Sequence, residues 1–133
     1  MATTDSVGGG FPKTMAAIGG FVFLTFGVWA MSAPQSFFDR VALFEPFNRH
    51  FVQDLGAFQI GLGVTLVLAA FLTTDALVVA LVGTGIGALA HVVSHLAGID
   101  LGGTPGFDIP ALSVLGVLLL VAGAIRWMSL RQT

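Results

Sequence analysis

The chain contains no cysteine. That absence excludes disulfides, iron–sulfur clusters, thiolate zinc sites and cysteine nucleophiles, and it leaves the redox compartment unread. Any metal chemistry must run on His, Asp, Glu or Met. Charge is also scarce. Only 9% of the 133 residues are Asp, Glu, Lys or Arg, against about 25% in an ordinary soluble domain, so such a surface cannot face water all round. The five basic residues form no cluster and the formal net charge is −2, which leaves no electrostatic footprint for nucleic acid. Gly8-Gly9-Gly10 and the glycines at 83, 85 and 87 lack the Lys and Ser/Thr of a phosphate loop, so no nucleotide site is indicated. No pattern of a catalytic nucleophile is recognisable.

What remains is apolar. Hydrophobic residues make up 56% of the chain and the mean hydropathy is +0.96. Four apolar runs, about 14–33, 51–72, 76–97 and 110–127, each approach the ~20 residues that cross a hydrocarbon core as a helix. Lipid offers no partner for a free backbone N–H or C=O, so each must be an α-helix. The expected fold is all-α: a single four-transmembrane-helix bundle over 14–128, with a flexible tail at 1–13 and a short C-terminal tail at 129–133. A signal peptide is the competing reading of the first run. That run is too long, is preceded only by Lys13, and is followed by Pro34 after the would-be cleavage point.

The linkers divide into three kinds. Thr73-Thr74-Asp75 is a tight turn, which makes the second and third helices antiparallel neighbours. Pro34 to Asn48 carries a weak capping box, Ser36-Phe37-Phe38-Asp39, followed by Phe37, Val41 and Phe44 at helical spacing. It predicts a short interfacial helix, apolar side toward lipid, ended by Pro46. Gly98 to Phe107 is glycine-rich, and Asp108 is the expected N-cap of the fourth helix, with Pro110 in its first turn. Lys13, Arg126 and Arg131 lie on the side of the termini and Arg40 and Arg49 on the other. This bias places both termini in the cytoplasm of a multi-pass protein of the cell (plasma) membrane.

Close approach of membrane helices depends on small residues. Candidates are Ala16, Gly20 and Gly27 in the first helix, Ala57, Gly61 and Thr65 in the second, Gly83 and Gly87 in the third, and Gly116 and Gly123 in the fourth. The third-helix stripe runs on into His91 and His95, which directs both imidazoles toward the bundle.

Ionisable residues within apolar spans carry a functional hypothesis by default. His50 and Asp54 share a face at i, i+4 where the second helix begins, and His91 and His95 do so where the third ends. Measured from the Thr74 turn, Asp54 and His95 both stand about 20 residues away, or roughly 30 Å at ~1.5 Å per residue. A tight hairpin would therefore bring His50, Asp54, His91 and His95 to one level. Such donors suit a transition metal (zinc, copper or non-haem iron), a bis-histidine haem or a quinone head group. An Asp–His hydrogen bond across the hairpin satisfies the same groups with no ligand.

The stretch NRHFVQDLGAFQIGLGVTLVLA and the later ALAHVVSHL resemble a group of small four-helix bacterial membrane proteins, common in actinobacteria and mostly uncharacterised. The shared pattern is a histidine and an aspartate entering helix two and a paired-histidine motif closing helix three, here His50, Asp54, His91 and His95. The resemblance spans about Asn48 to Leu96. It implies membrane location and four spans, and carries no activity or ligand.

Two functions from different classes follow. One is a non-catalytic accessory or interaction subunit, in contact with the lipid bilayer and with a membrane-protein partner or further copies of itself. The alternative is a metal- or cofactor-binding protein that uses the His/Asp cluster near the non-cytoplasmic face. A transporter acting alone ranks third, because four short spans lack the internal repeat and broken helices of a carrier.

Overall fold

The computed structural model describes residues 5–72 and 74–132, with side chains left out at 5–9 and 74. Its regular elements are all helical: α1 (Asp5–Ser32), α2 (Pro34–Phe37), a π-helical turn (Phe38–Ala42), α3 (Arg49–Leu72), α4 (Thr74–Ala97) and α5 (Pro105–Leu130). Four of these helices are long and apolar enough to cross a membrane, over Gly10–Ser32, Arg49–Leu72, Asp75–Ala97 and Pro105–Leu130. Their length and composition suggest a multi-pass membrane protein.

Three expectations are corrected at the helix ends. Helix α1 is already helical at Asp5, the first described residue, and carries a buried Pro12 in its interior, so much of the expected tail is helical. Helix α5 begins at Pro105, with Thr104 at its N-cap, five residues before the expected start. Thr104-Pro105 carries the same cap-then-proline signal as Asp108 and Pro110, and the upstream copy sets the start. Asp108 instead lies in the first turn and folds back, accepting hydrogen bonds from Thr104 N at 2.7 Å and Thr104 Oγ1 at 3.0 Å. Of the expected turn between α3 and α4, Thr73 lies outside the described residues.

The element between α1 and α3 is present but faces the other way. Phe37 and Phe38 are buried, packed with Ala30 of α1 and Val52 of α3 in a small core, rather than turned to lipid. The rings of Phe26, Trp29, Phe37, Phe38, Phe44, Phe47 and Phe51 meet edge-on or tilted, with centroids 5.1–6.4 Å apart. Edge-to-face contact is the favoured geometry for aromatic pairs. Ser36 does not cap a helix; its Oγ accepts the Trp29 indole N–H at 3.3 Å. The π turn closes with Leu43 N donating to Phe38 O at 2.9 Å, and Leu43 ends it at φ 44°.

The four long helices form a ring in which α3 lies chiefly against α1 and α4 chiefly against α5. Glycines set both seams. A Cβ on Gly27 would stand 2.8 Å from Gly56 O, and one on Gly63 would stand 2.8 Å from Gly20 O. Across α4 and α5, a Cβ on Gly85 would meet Gly116 O at 3.1 Å and one on Gly123 would meet Val82 Cγ2 at 2.8 Å. At the end where α3 turns into α4 the pairs join. There Ala16, Leu66, Ala69, Ala70, Leu77, Ala80, Leu81, Leu119 and Ala122 form one buried core.

Candidate functional site

The two ends of the bundle are built differently. The core at the turn end draws on all four long helices, whereas the core at the opposite end belongs to α1, the α2 segment and α3. Along the α3–α4 face runs a groove of about 490 Å³, lined on one side by residues from Leu62 to Leu72 and on the other from Ala76 to Thr84. Helices α3 and α4 are thus joined at their turn, while each keeps its closest seam with another helix.

That geometry decides where the sequence-predicted residues fall. His50 and Asp54 stand together at the start of α3, Nε2 to Oδ2 3.4 Å, with side chains 87% and 55% exposed. His91 and His95 stand together near the end of α4, their rings stacked with centroids 4.8 Å apart. The structure gives two pairs, not one constellation. Among the described residues no three or more His, Cys, Asp or Glu side chains are grouped so as to hold one metal ion. The expectation that His91 faces the bundle is also corrected, since His91 is exposed and His95 only half-buried. The stripe that leads to them is open as well: a Cβ on Gly83 or Gly87 would meet nothing within 4 Å.

The α4 pair has a neighbour that the spacing did not reveal. Gly102 and Gly103 turn the chain at φ 116° and 83°, a conformation glycine adopts without penalty. Gly103 N then donates to Leu43 O at 3.1 Å, tying the α4–α5 loop to the linker that precedes α3. The Asp108 carboxylate and the His95 imidazole both lie within 4 Å of the point where a Gly103 Cβ would stand. Asp108 is already engaged with Thr104, so its first task is to fix the start of α5. Its place beside the histidines follows from the loop turn.

No family model matches the chain, and neither curated proteins nor solved structures give a significant match. The reading of function therefore rests on the chain's own residues.

A second polar group that spacing did not single out is Gln59. It lies in α3 between Gly56 and Gly63, and its Oε1 is buried without a hydrogen-bond partner among the described residues. A glutamine at mid-span is a readable signal in sequence; the burial of its Oε1 depends on which face of α3 turns inward. Leaving such an acceptor unsatisfied costs about 1–3 kcal/mol.

Proposed function

We propose that this protein is a non-catalytic accessory or interaction subunit of a larger membrane assembly, lying in the cell (plasma) membrane with both termini in the cytoplasm. One observation carries the reading. The glycines at 20, 27, 56, 63, 85, 116 and 123 each let a neighbouring helix approach, whereas Gly61, Gly83 and Gly87 have no atom within 4 Å of a would-be Cβ. Small residues on membrane helices serve close helix contact, and these three have no helix against them, Gly83 lining the open groove between α3 and α4. A place among small four-helix bacterial membrane proteins belongs to the same proposal, resting on the Asn48–Leu96 pattern.

The alternative, a metal- or cofactor-binding protein, is favoured by the stacked His91–His95 pair with Asp108 near it. This donor set is smaller than the four residues expected from the hairpin, and one of its members is already hydrogen-bonded to Thr104. Elemental analysis and a visible spectrum of gently extracted protein separate the two readings. A stoichiometric companion subunit without a metal or haem signal supports the accessory role. A stoichiometric metal or haem band that disappears in His91→Ala, His95→Ala protein overturns it.

A further inference from the structure

Where α2 approaches the start of α3, the surface opens into a recess of about 450 Å³ lined by Ala33, Pro34, Gln35, Ser36, Phe47 and Arg49. Three of its lining side chains, Gln35, Ser36 and Arg49, can donate. The Ser36 hydroxyl uses its oxygen to accept the Trp29 indole N–H, which leaves its own proton free to donate. The Gln35 amide gives one N–H to Asp39 Oδ1 at 2.8 Å and keeps the other. Arg49 is exposed, and no carboxylate pairs with it among the described residues. Asp39, one turn beyond Gln35, is the acid nearest to that residue in sequence, and Gln35 already engages it; Glu45 and Asp54, which flank Arg49 in the sequence, form no ion pair with it among the described residues.

The position is as telling as the donors. The recess lies at the end of α1 and the beginning of α3, where apolar spans give way to the polar linker. The two helices below it expose Val28, Met31 and Phe58 along their lengths. A guanidinium with fixed donors beside it recognises a phosphate, because its fork of N–H groups matches the anion's oxygens. An arginine near the end of a membrane helix extends to the head-group level, whichever leaflet it meets.

We infer that this recess binds the phosphate of an anionic phospholipid head group, with Arg49 as the principal contact and Ser36 and Gln35 as supporting donors. The inference rests on the reading of the long helices as membrane spans, so insertion of each variant into neutral phosphatidylcholine vesicles is established first. Failure of insertion overturns the spans themselves; failure of the binding step overturns only the recess.

Trp29 reports on the recess through its bond to Ser36, and Trp127→Phe leaves it as the sole indole. Full-length protein in a non-ionic detergent is titrated with short-chain phosphatidylglycerol, short-chain phosphatidylcholine and inorganic phosphate while Trp29 emission is followed. The expected result is a saturable change with phosphatidylglycerol. The response should be at least tenfold weaker for phosphatidylcholine, for inorganic phosphate and for Arg49→Gln, and unaltered in Arg40→Gln, which removes an equal charge outside the recess lining. Equal responses to the two lipids, or equal losses in the two arginine variants, would show unspecific attraction and overturn the site. An Arg49-dependent change produced equally by inorganic phosphate would assign the recess to a free anion and overturn the lipid.

Discussion

Gly27 of α1 and Gly56 of α3 face each other so closely that a Cβ on either would stand 2.8 Å from the other's carbonyl oxygen. The relation is reciprocal, and Gly20 with Gly63 repeats it two turns away. Seven residues separate the glycines on each helix, so an antiparallel pair brings both sets into register.

Gly27→Ala or Gly56→Ala should therefore destabilise the protein by about 1–3 kcal/mol, the usual cost of forcing an atom into a filled contact. Gly61→Ala meets open space and replaces glycine by a residue about 1 kcal/mol better in a helix. It should leave stability unchanged or raise it. Thermal unfolding of the variants in one detergent compares them directly, and equal losses at 56 and 61 would contradict the assigned seam.

Gln59 gives a prediction of opposite sign. Its side-chain oxygen is buried and, among the described residues, unsatisfied, so Gln59→Met, similar in length and free of that acceptor, should raise stability by about 1 kcal/mol. A fall of similar size in the same unfolding assay would show that the glutamine makes a bond the protein needs.

Asp108 holds the start of α5 through two hydrogen bonds to Thr104. Asp108→Ala should cost about 1 kcal/mol, as the loss of a helix cap does. Hydrogen exchange at Phe107 and Asp108, whose amides donate to Thr104 O at 2.8 Å, should speed up while the amides of α1 and α3 keep their protection. Unchanged exchange in the first turn of α5 would remove Asp108 from this role.

Much of the architecture was legible from composition and run length. Four apolar stretches bounded by turn chemistry were found as long helices, and the Phe-rich linker was found as a short helical element. Glycine spacing was less decisive, because each middle helix offers more than one small-residue face. Helix α3 carries both Gly56/Gly63 and Ala57/Gly61/Thr65, and α4 carries both Gly85 and Gly83/Gly87. Which face closes depends on the partner helix: α1 presents Gly20 and Gly27 at the seven-residue spacing that matches Gly56 and Gly63. Once α3 closes on α1 and α4 on α5, the hairpin no longer gathers its histidines. Heights counted from the turn placed His50, Asp54, His91 and His95 at similar levels, but a level says nothing about the direction in which a helix face points. The spacing pointed to Asp108 as a cap but not to its place near His95, for a related reason. Its approach to His95 follows from the left-handed turn at Gly102 and Gly103, not from any periodicity.

The open Gly83/Gly87 face is the most direct place to test the subunit reading. Unaltered protein and the Gly83→Leu, Gly87→Leu variant are extracted from their native membranes in a mild detergent and weighed by native mass spectrometry. The unaltered chain should travel in an assembly of defined stoichiometry, and the variant should run as a helical monomer of 13.7 kDa. An unaltered chain that is itself monomeric, or a variant that remains in the same assembly, would contradict it.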